Sequence, residues 1–284
     1  MMDRRDFLAA AGALSAGALL PVAAPEPPKF KLGTVTYNIA AGWDLDTLIK
    51  TCTASGFEAV ELRTTHAHKV EPSISADERR EVKKKFASSG VLLWGLGSVC
   101  EFHAPDPDTV KKNVETCRAF CALAADVGAR GVKVRPNALP KGVEPAKTLE
   151  QIGQALVECG RAAADLGVEV WVEVHGGGTS LPENMRAIMD HCGHKSVGVC
   201  WNSNGSDLKN GSVKEAFDLL KKDIRSVHIN DLRGKYPYRE LFAGLRSIGY
   251  DRVTLMEMPS VKEPEAAVAF MKEYRAIWTE LAKG

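Results

Sequence analysis

The sequence predicts a single (β/α)₈ barrel of the α/β class, and three observations predict it. Short apolar runs alternate with longer amphipathic stretches from about residue 31 to the end. The alternation runs through eight such pairs, which implies a parallel sheet and favours closure into a barrel over an open sheet. Residues 31–284 also have the length of one such barrel, typically ~250 residues.

The elements follow in strict order. A strand over 32–37 leads to a helix over 44–55, with Asp44 at the N-cap and Gly56 after the last turn. A strand over 58–62 leads to a helix over 76–88, opened by Ser75 and closed by Gly90. The third pair is 91–97 and 107–126, closed by Gly128, and the fourth is 131–135 and 145–166, closed by Gly167. The fifth is 169–175 and 183–191, and the sixth 197–201 and 213–220. The seventh is 226–229 and 238–247, with Gly249 behind it, and the eighth 253–257 and 263–281. Small polar residues before a helix and glycine after it are the expected caps. Several strands carry the β-branched enrichment of buried parallel strands. No Gly-x-Gly-x-x-Gly follows the first strand, so an open dinucleotide-binding sheet has no support. No linker interrupts the array, so residues 31–284 read as one domain.

Residues 1–30 are set apart. The paired Arg4-Arg5 with Phe7-Leu8, followed by an uncharged Ala/Gly/Leu stretch, has the pattern of a twin-arginine export signal. Pro25-Glu26-Pro27-Pro28 reads as a stiff spacer. An exported, periplasmic protein is therefore expected, membrane-tethered only if the signal is retained. The 37 Lys and Arg against 36 Asp and Glu leave a net charge of +1, which gives no electrostatic footprint for nucleic acid. The seven cysteines include no Cys-x-x-Cys pair and sit mostly in apolar segments, so they are expected as buried free thiols.

In barrels of this kind the site lies at the carboxyl ends of the strands, and those ends are polar. The second ends Glu61-Leu62-Arg63-Thr64-Thr65-His66-Ala67-His68, and the third runs into Cys100-Glu101-Phe102-His103. The fourth carries Lys133 and Arg135 on one face, and the fifth Glu173 and His175 on one face. The sixth ends Cys200-Trp201-Asn202-Ser203-Asn204, the seventh His228-Ile229-Asn230-Asp231, and the eighth Met256-Glu257. A charge inside an apolar strand is costly unless it is paired or ligates a metal. Glu173 and Glu257 are in that position, either as functional groups or as partners of Lys133 and Arg135. Those two cations are read either as balancing the glutamates or as polarising a carbonyl or gripping an anionic group. His66, His68, His103, His175 and Asn230 are candidate substrate contacts, and Trp43 is a candidate to stack on a sugar ring.

Glu on strand five, an amide on strand six, His on strand seven and Glu on strand eight resemble the sugar phosphate isomerase/epimerase group of xylose-isomerase-like barrels, from about Lys31 to the end. The segments 61–68 and 200–204 resemble an exported bacterial subset of that group. The resemblance implies one divalent ion bound by Glu173, Asn202, His228 and Glu257, with Glu173 and Glu257 also forming the acid/base pair. Asn202 stands where the group usually has Asp, so the ion would see two carboxylates instead of three, and binding would weaken or be lost. Carboxylate and imidazole donors suit manganese, zinc or iron better than calcium. The implied activity is isomerisation or epimerisation of a sugar or keto-sugar by proton transfer next to a carbonyl. An alternative is elimination from a 3-keto-glycoside by a lyase or deglycosidase. A third reading is a non-catalytic exported sugar-binding or accessory protein. The partner in each case is a small carbohydrate. The DNA-repair phosphodiesterases that share the fold need a three-zinc cluster and a basic face, for which the sequence offers neither the ligands nor the charge.

Overall fold

The computed structural model describes residues 28–260 and 264–283. Eight parallel strands form the sheet: β1 (Lys31–Val35), β2 (Ala59–Arg63), β3 (Leu92–Glu101), β4 (Gly131–Arg135), β5 (Glu169–Glu173), β6 (Val197–Asn202), β7 (Ile224–Ile229) and β8 (Val253–Met256). Each pairs with the next in sequence, and β8 returns to β1 through Lys31–Val253 to Thr34–Met256, which closes the barrel. The helices are α1 (Leu45–Ser55), α2 (Ala76–Ser89), α3 (Pro107–Val127), α4 (Pro145–Asp165), α5 (Pro182–Cys192), α6 (Lys214–Leu220), α7 (Tyr238–Ser247) and α8 (Pro264–Lys283). All eight expected pairs are present.

The caps follow the sequence. The Asp44 side chain accepts the Thr47 N–H, and Ser75 and Glu78 form a capping box at α2. Gly56, Gly90 and Gly128 end α1, α2 and α3 in the left-handed conformation. Two features differ from expectation. β3 runs four residues past Gly97 to Glu101, through a shift of register against β4. β5 stops at Glu173, because Gly176–Gly177 pairs instead with Asn137–Ala138 in a small separate ribbon over the barrel mouth. That ribbon fits only because residue 176 is glycine. Its φ is +97°, and a Cβ there would lie 1.8 Å from the Asn137 carbonyl oxygen.

The barrel interior is layered by the side-chain alternation of the strands. Along β5, Glu169, Trp171 and Glu173 point inward at successive levels. At the floor, Glu169 accepts hydrogen bonds from Arg130, Arg225, Arg252 and the Trp171 indole. In the middle, Trp171 stacks on Trp94 with centroids 5.0 Å apart, among Val35, Ala59, Cys200 and Leu255. At the mouth the lining turns polar. The opposite strand faces pack against the helices in one continuous core. Phe30 already belongs to it, 2% exposed, with its ring 5.7 Å from Phe242 and 5.8 Å from Trp278, so the barrel takes in one residue before the expected boundary. Trp43 is also a core residue, 7% exposed, which corrects the expectation that it stacks on a ligand. All seven cysteines are buried and free.

The expected export signal, residues 1–30, lies outside the described residues up to residue 27. No described helix is long and apolar enough to cross a membrane.

Candidate active site at the carboxyl ends of the strands

A cavity of about 310 Å³ opens at the carboxyl end of the barrel. Lys133, Arg135, Glu173, His175, Asn202, His228, Asn230 and Glu257 all line it, together with Tyr37, Arg63 and Asn204. Eight of the eleven residues singled out from the sequence thus meet in one place. The cause is topological: parallel strands bring all their carboxyl ends to one face, and the register sets Asn202 of β6 beside His228 of β7.

His228 is the centre of the cluster. It is 1% exposed, and its two ring nitrogens meet different surroundings. Nε2 lies 3.2 Å from Oε2 of Glu61, itself fully buried. Nδ1 has no hydrogen-bond partner among the described residues. It faces Oε1 of Glu173 at 3.6 Å and Oε2 of Glu257 at 3.7 Å. If the ring hydrogen sits on Nε2 and is donated to Glu61, the Nδ1 lone pair points at the gap between the two carboxylates. A carboxylate behind a histidine whose other nitrogen faces further acids is the usual second layer of a metal site. The donor atoms of Glu173, His228 and Glu257 all lie within 4.8 Å of one another. Asn202 donates its Nδ2 to Oε1 of Glu173 at 3.2 Å, and the alternative amide orientation would turn its oxygen to the same place. The residues present therefore fit a divalent ion, with two carboxylates, one imidazole and one amide.

The two glutamates are in different states. Glu173 is 3% exposed and gives its Oε2 to Lys133 Nζ at 2.8 Å. Burial alone would raise its carboxyl, but Lys133 and His228 outweigh burial and hold it well below the usual carboxylate range. Lys133 is likewise buried, yet Glu173 and Glu61 keep its ammonium charged. Burial opposes the charged form of His228 too, and Cys200, Glu61 and Glu173 around it more than offset that. Glu257 has a side chain 22% exposed to the cavity, and burial leaves its carboxyl raised. Two carboxyls pushed apart in this way are a common mark of acid/base work.

Around the rim, Arg135 pairs with Glu101. His175 places Nδ1 3.1 Å from Oδ1 of Asn137, in the ribbon over the mouth. Burial lowers the pKa of His175. Asn230 donates Nδ2 to the Ser203 carbonyl, and its own N–H is held by Tyr238. The loop after β6 is pinned from behind by Asp207, 3% exposed, which accepts the Asn204 N–H at 2.9 Å and the Tyr236 hydroxyl at 2.7 Å.

Three expected substrate contacts do not line the cavity. His68 is 6% exposed, and its two nitrogens are used by the Arg63 carbonyl and the Val70 N–H of its own loop. His66 bonds Thr36 at 2.8 Å and stacks beside Tyr37. His103 turns toward Glu101 at 3.9 Å. His68 is tied within its own loop and His66 to the loop after β1, contacts that strand alternation does not describe. Four residues of the site were missed: Tyr37, Glu61, Arg63 and Asn204. For Glu61 and Arg63 the signal was available, since both sit on the inward face of β2, two residues apart.

A closed (β/α)₈ barrel with buried carboxylates, imidazole and ammonium gathered at the carboxyl ends of its strands defines the class of barrels that carry small-molecule chemistry at that face. Within it, the chain belongs to the xylose isomerase-like TIM barrel family, whose model matches residues 49–274. No curated protein sequence matches it. Among solved structures, the IolI protein with a bound zinc atom superposes with a TM-score of 0.75 at 15% identity, over 89% of this chain and 98% of that one. A 3-keto-D-glucoside 4-epimerase from E. coli gives 0.71 at 15% identity, over 88% and 99%. A D-psicose 3-epimerase with D-tagatose from Clostridium cellulolyticum H10 gives 0.69 at 17% identity, over 89% and 96%.

Proposed function

We propose that the chain is a sugar isomerase or epimerase that moves a proton at the carbon next to a carbonyl, assisted by one divalent metal. The observation that carries this reading is the buried, unpartnered Nδ1 of His228 facing one oxygen each of Glu173 and Glu257. Glu173, His228, Glu257 and the amide of Asn202 would hold the ion, and manganese, zinc or iron suits those donors. When bound, such an ion supplies a Lewis acid that polarises the substrate carbonyl.

Glu257 is the proton acceptor. Its carboxylate is open to the cavity and makes no hydrogen bond among the described residues, whereas Glu173 is sealed and committed to Lys133. Glu257 removes the proton from carbon, and the electron pair of the C–H bond moves onto the carbonyl oxygen to give an enediolate. Lys133 contributes fixed positive charge near that oxygen. Return of a proton to the opposite face gives the epimer, and return to the neighbouring carbon gives the isomer. Water supplies the proton to the opposite face while Glu257 gives up its own to solvent, and Glu257 itself can return the proton to the neighbouring carbon, because Glu173 is ionised and committed to Lys133. His175, Asn204 and Asn230 hold substrate hydroxyls.

A second reading uses the same first step. Deprotonation beside a 3-keto group, followed by breaking of the glycosidic C–O bond and protonation of the departing aglycone, would make the protein a lyase. The likeness to a 3-keto-D-glucoside 4-epimerase supports keto-glycosides among the substrates to test. We also propose export by the twin-arginine route, on the pattern of residues 3–24. Periplasmic fractionation of the wild type and of a variant with Arg4→Lys and Arg5→Lys tests that point, with cytoplasmic retention of the variant expected.

The test of activity is incubation of the metal-loaded protein with D-tagatose, D-fructose, L-ribulose and a methyl 3-keto-glucoside, followed by chromatography of the products. Turnover of one of them, lost in Glu257→Gln, supports the assignment. Sugar binding with no turnover of any would leave the non-catalytic reading.

A further inference from the structure

Three cations line the cavity, and two of them are spent. Lys133 is held on Glu173 and Arg135 on Glu101. Arg63, at the end of β2, has no carboxylate partner among the described residues. Its Nη1 donates to the Thr64 carbonyl and the Thr65 hydroxyl, both at 3.0 Å. Its Nε and Nη2 make no hydrogen bond to any described residue, and neither is a buried orphan, so both are open to the cavity or its mouth. The Tyr37 ring lies under the guanidinium, its centroid 5.3 Å from Cζ. Tyr37 is itself 41% exposed at the same mouth. A cation–π contact of this kind holds a guanidinium without neutralising it.

The setting of Arg63 is built into the strand. It lies on the same inward face as Glu61, two residues nearer the mouth, and so stands above the level of His228. The neighbouring residue on β3 is Gly97. A Cβ there would lie 2.9 Å from Oε1 of Glu61 and 3.3 Å from Cα of Arg63, so the absence of a side chain keeps both acid and base in place.

We propose that Arg63 is a carboxylate subsite, and that the substrate of this site is a sugar acid that also carries an aldehyde or ketone, a uronate or keto-aldonate type of molecule, with its carboxylate at the rim and its carbonyl carbon beside Glu257. The adjacent Nε–H and Nη2–H of a guanidinium match the two coplanar oxygens of a carboxylate. A single guanidinium without a salt-bridge partner among the described residues also suits a monoanion better than a phosphate dianion. This rests on the reading of the cavity as the sugar site, and adds the charge of its substrate.

The test is calorimetric titration of the metal-loaded protein with D-glucuronate, D-galacturonate and D-gluconate, each beside its neutral partner, D-glucose, D-galactose and D-glucitol, and with glucose 6-phosphate. At least one acid should bind about tenfold or more tighter than its neutral partner, the size of one hydrogen bond to a charged group. Arg63→Leu should erase that preference while the protein still melts cooperatively and still binds the neutral partners, and Arg63→Lys should keep part of it. Equal binding of acid and neutral partners, no binding by any acid, preference for the phosphate, or a preference that survives in Arg63→Leu would each overturn the proposal. Binding preference needs no turnover. Failure here with continuing proton exchange on a neutral ketose would therefore leave the activity standing, and an acid preference without exchange would remove the activity and keep the subsite.

Discussion

The Nζ of Lys133 lies 2.8 Å from Oε2 of Glu173, with both side chains almost sealed from solvent. Oε1 of Glu173 is thereby left as the oxygen that faces His228. The pair thus sets the orientation as well as the ionisation of one corner of the site. Removing one member leaves an uncompensated buried charge, which typically costs about 3–5 kcal/mol, whereas removing both costs far less. Lys133→Met is therefore expected to lower stability by about that amount in urea unfolding. Lys133→Met with Glu173→Gln should recover most of the loss. Equal losses in the single and double variants would mean that the pair is not coupled as drawn.

Metal binding should depend on a residue that touches no metal. Glu61 sits behind His228 at 3.2 Å from Nε2 and would fix which nitrogen is free. Glu61→Gln is expected to weaken divalent-ion affinity by about 10–100-fold, the usual effect of losing a group that orients a ligand. His228→Ala should abolish stoichiometric binding. Affinities from competition with a chelating dye would check both, and unchanged affinity in Glu61→Gln would remove Glu61 from the site.

Asp207 gives stability a slope against pH. Burial raises its pKa from 3.8 to about 7, although the Tyr236 hydroxyl and the Asn204 N–H partly oppose this. Between those limits the folded chain holds a proton that the unfolded chain has released. Its contribution is complete below about pH 4 and is lost as pH rises to about 7, by about 4 kcal/mol at 1.36 kcal/mol per unit. Asp207→Asn should flatten that part of the stability profile. Urea midpoints from pH 4 to 8 would show it, and parallel profiles for the two proteins would contradict it.

The barrel floor predicts the opposite sign. Burial would raise the Glu169 carboxyl, but Arg252, Trp171 and Arg225 pull it down to about 2. Its contribution is present above pH 4.5 and falls away as pH drops toward 2. Glu169→Gln should make the protein less stable at neutral pH and less sensitive to acid. A variant as acid-sensitive as the wild type would show that other carboxylates govern the acid limb.

Much of this was legible in the sequence because period and punctuation agree at each element. Asp44, Ser75 and the glycines after the helices mark boundaries that the structure keeps within a residue or two. The strand ends that carry Glu173, Asn202, His228 and Glu257 were readable, since parallel strands must bring them to one face, while the grouping of the four as a ligand set came only from the family resemblance. The placement of His66, His68 and His103 was not readable, because loop side chains do not follow strand alternation: His68 bonds within its own loop and His66 bonds Thr36 of the loop after β1. The Asn137–Ala138 and Gly176–Gly177 ribbon escaped for the same reason. Glu61 and Arg63 follow a readable inward alternation on β2, but nothing in the sequence says which partners that face meets. Their importance comes from His228 and Tyr37, which contact them only through the closed barrel.

Removal by Glu257 of a proton from the carbon beside a sugar carbonyl is measured most directly as deuterium uptake from D₂O into the ketose and keto-glycoside panel and the keto derivatives of the sugar acids, followed by NMR on the metal-loaded protein. Exchange is expected at the carbon next to the carbonyl of at least one of them, slowed about 10²–10⁴-fold in Glu257→Gln. Exchange at the wild-type rate in Glu257→Gln, or no exchange with any of them in the wild type, would contradict this role for Glu257.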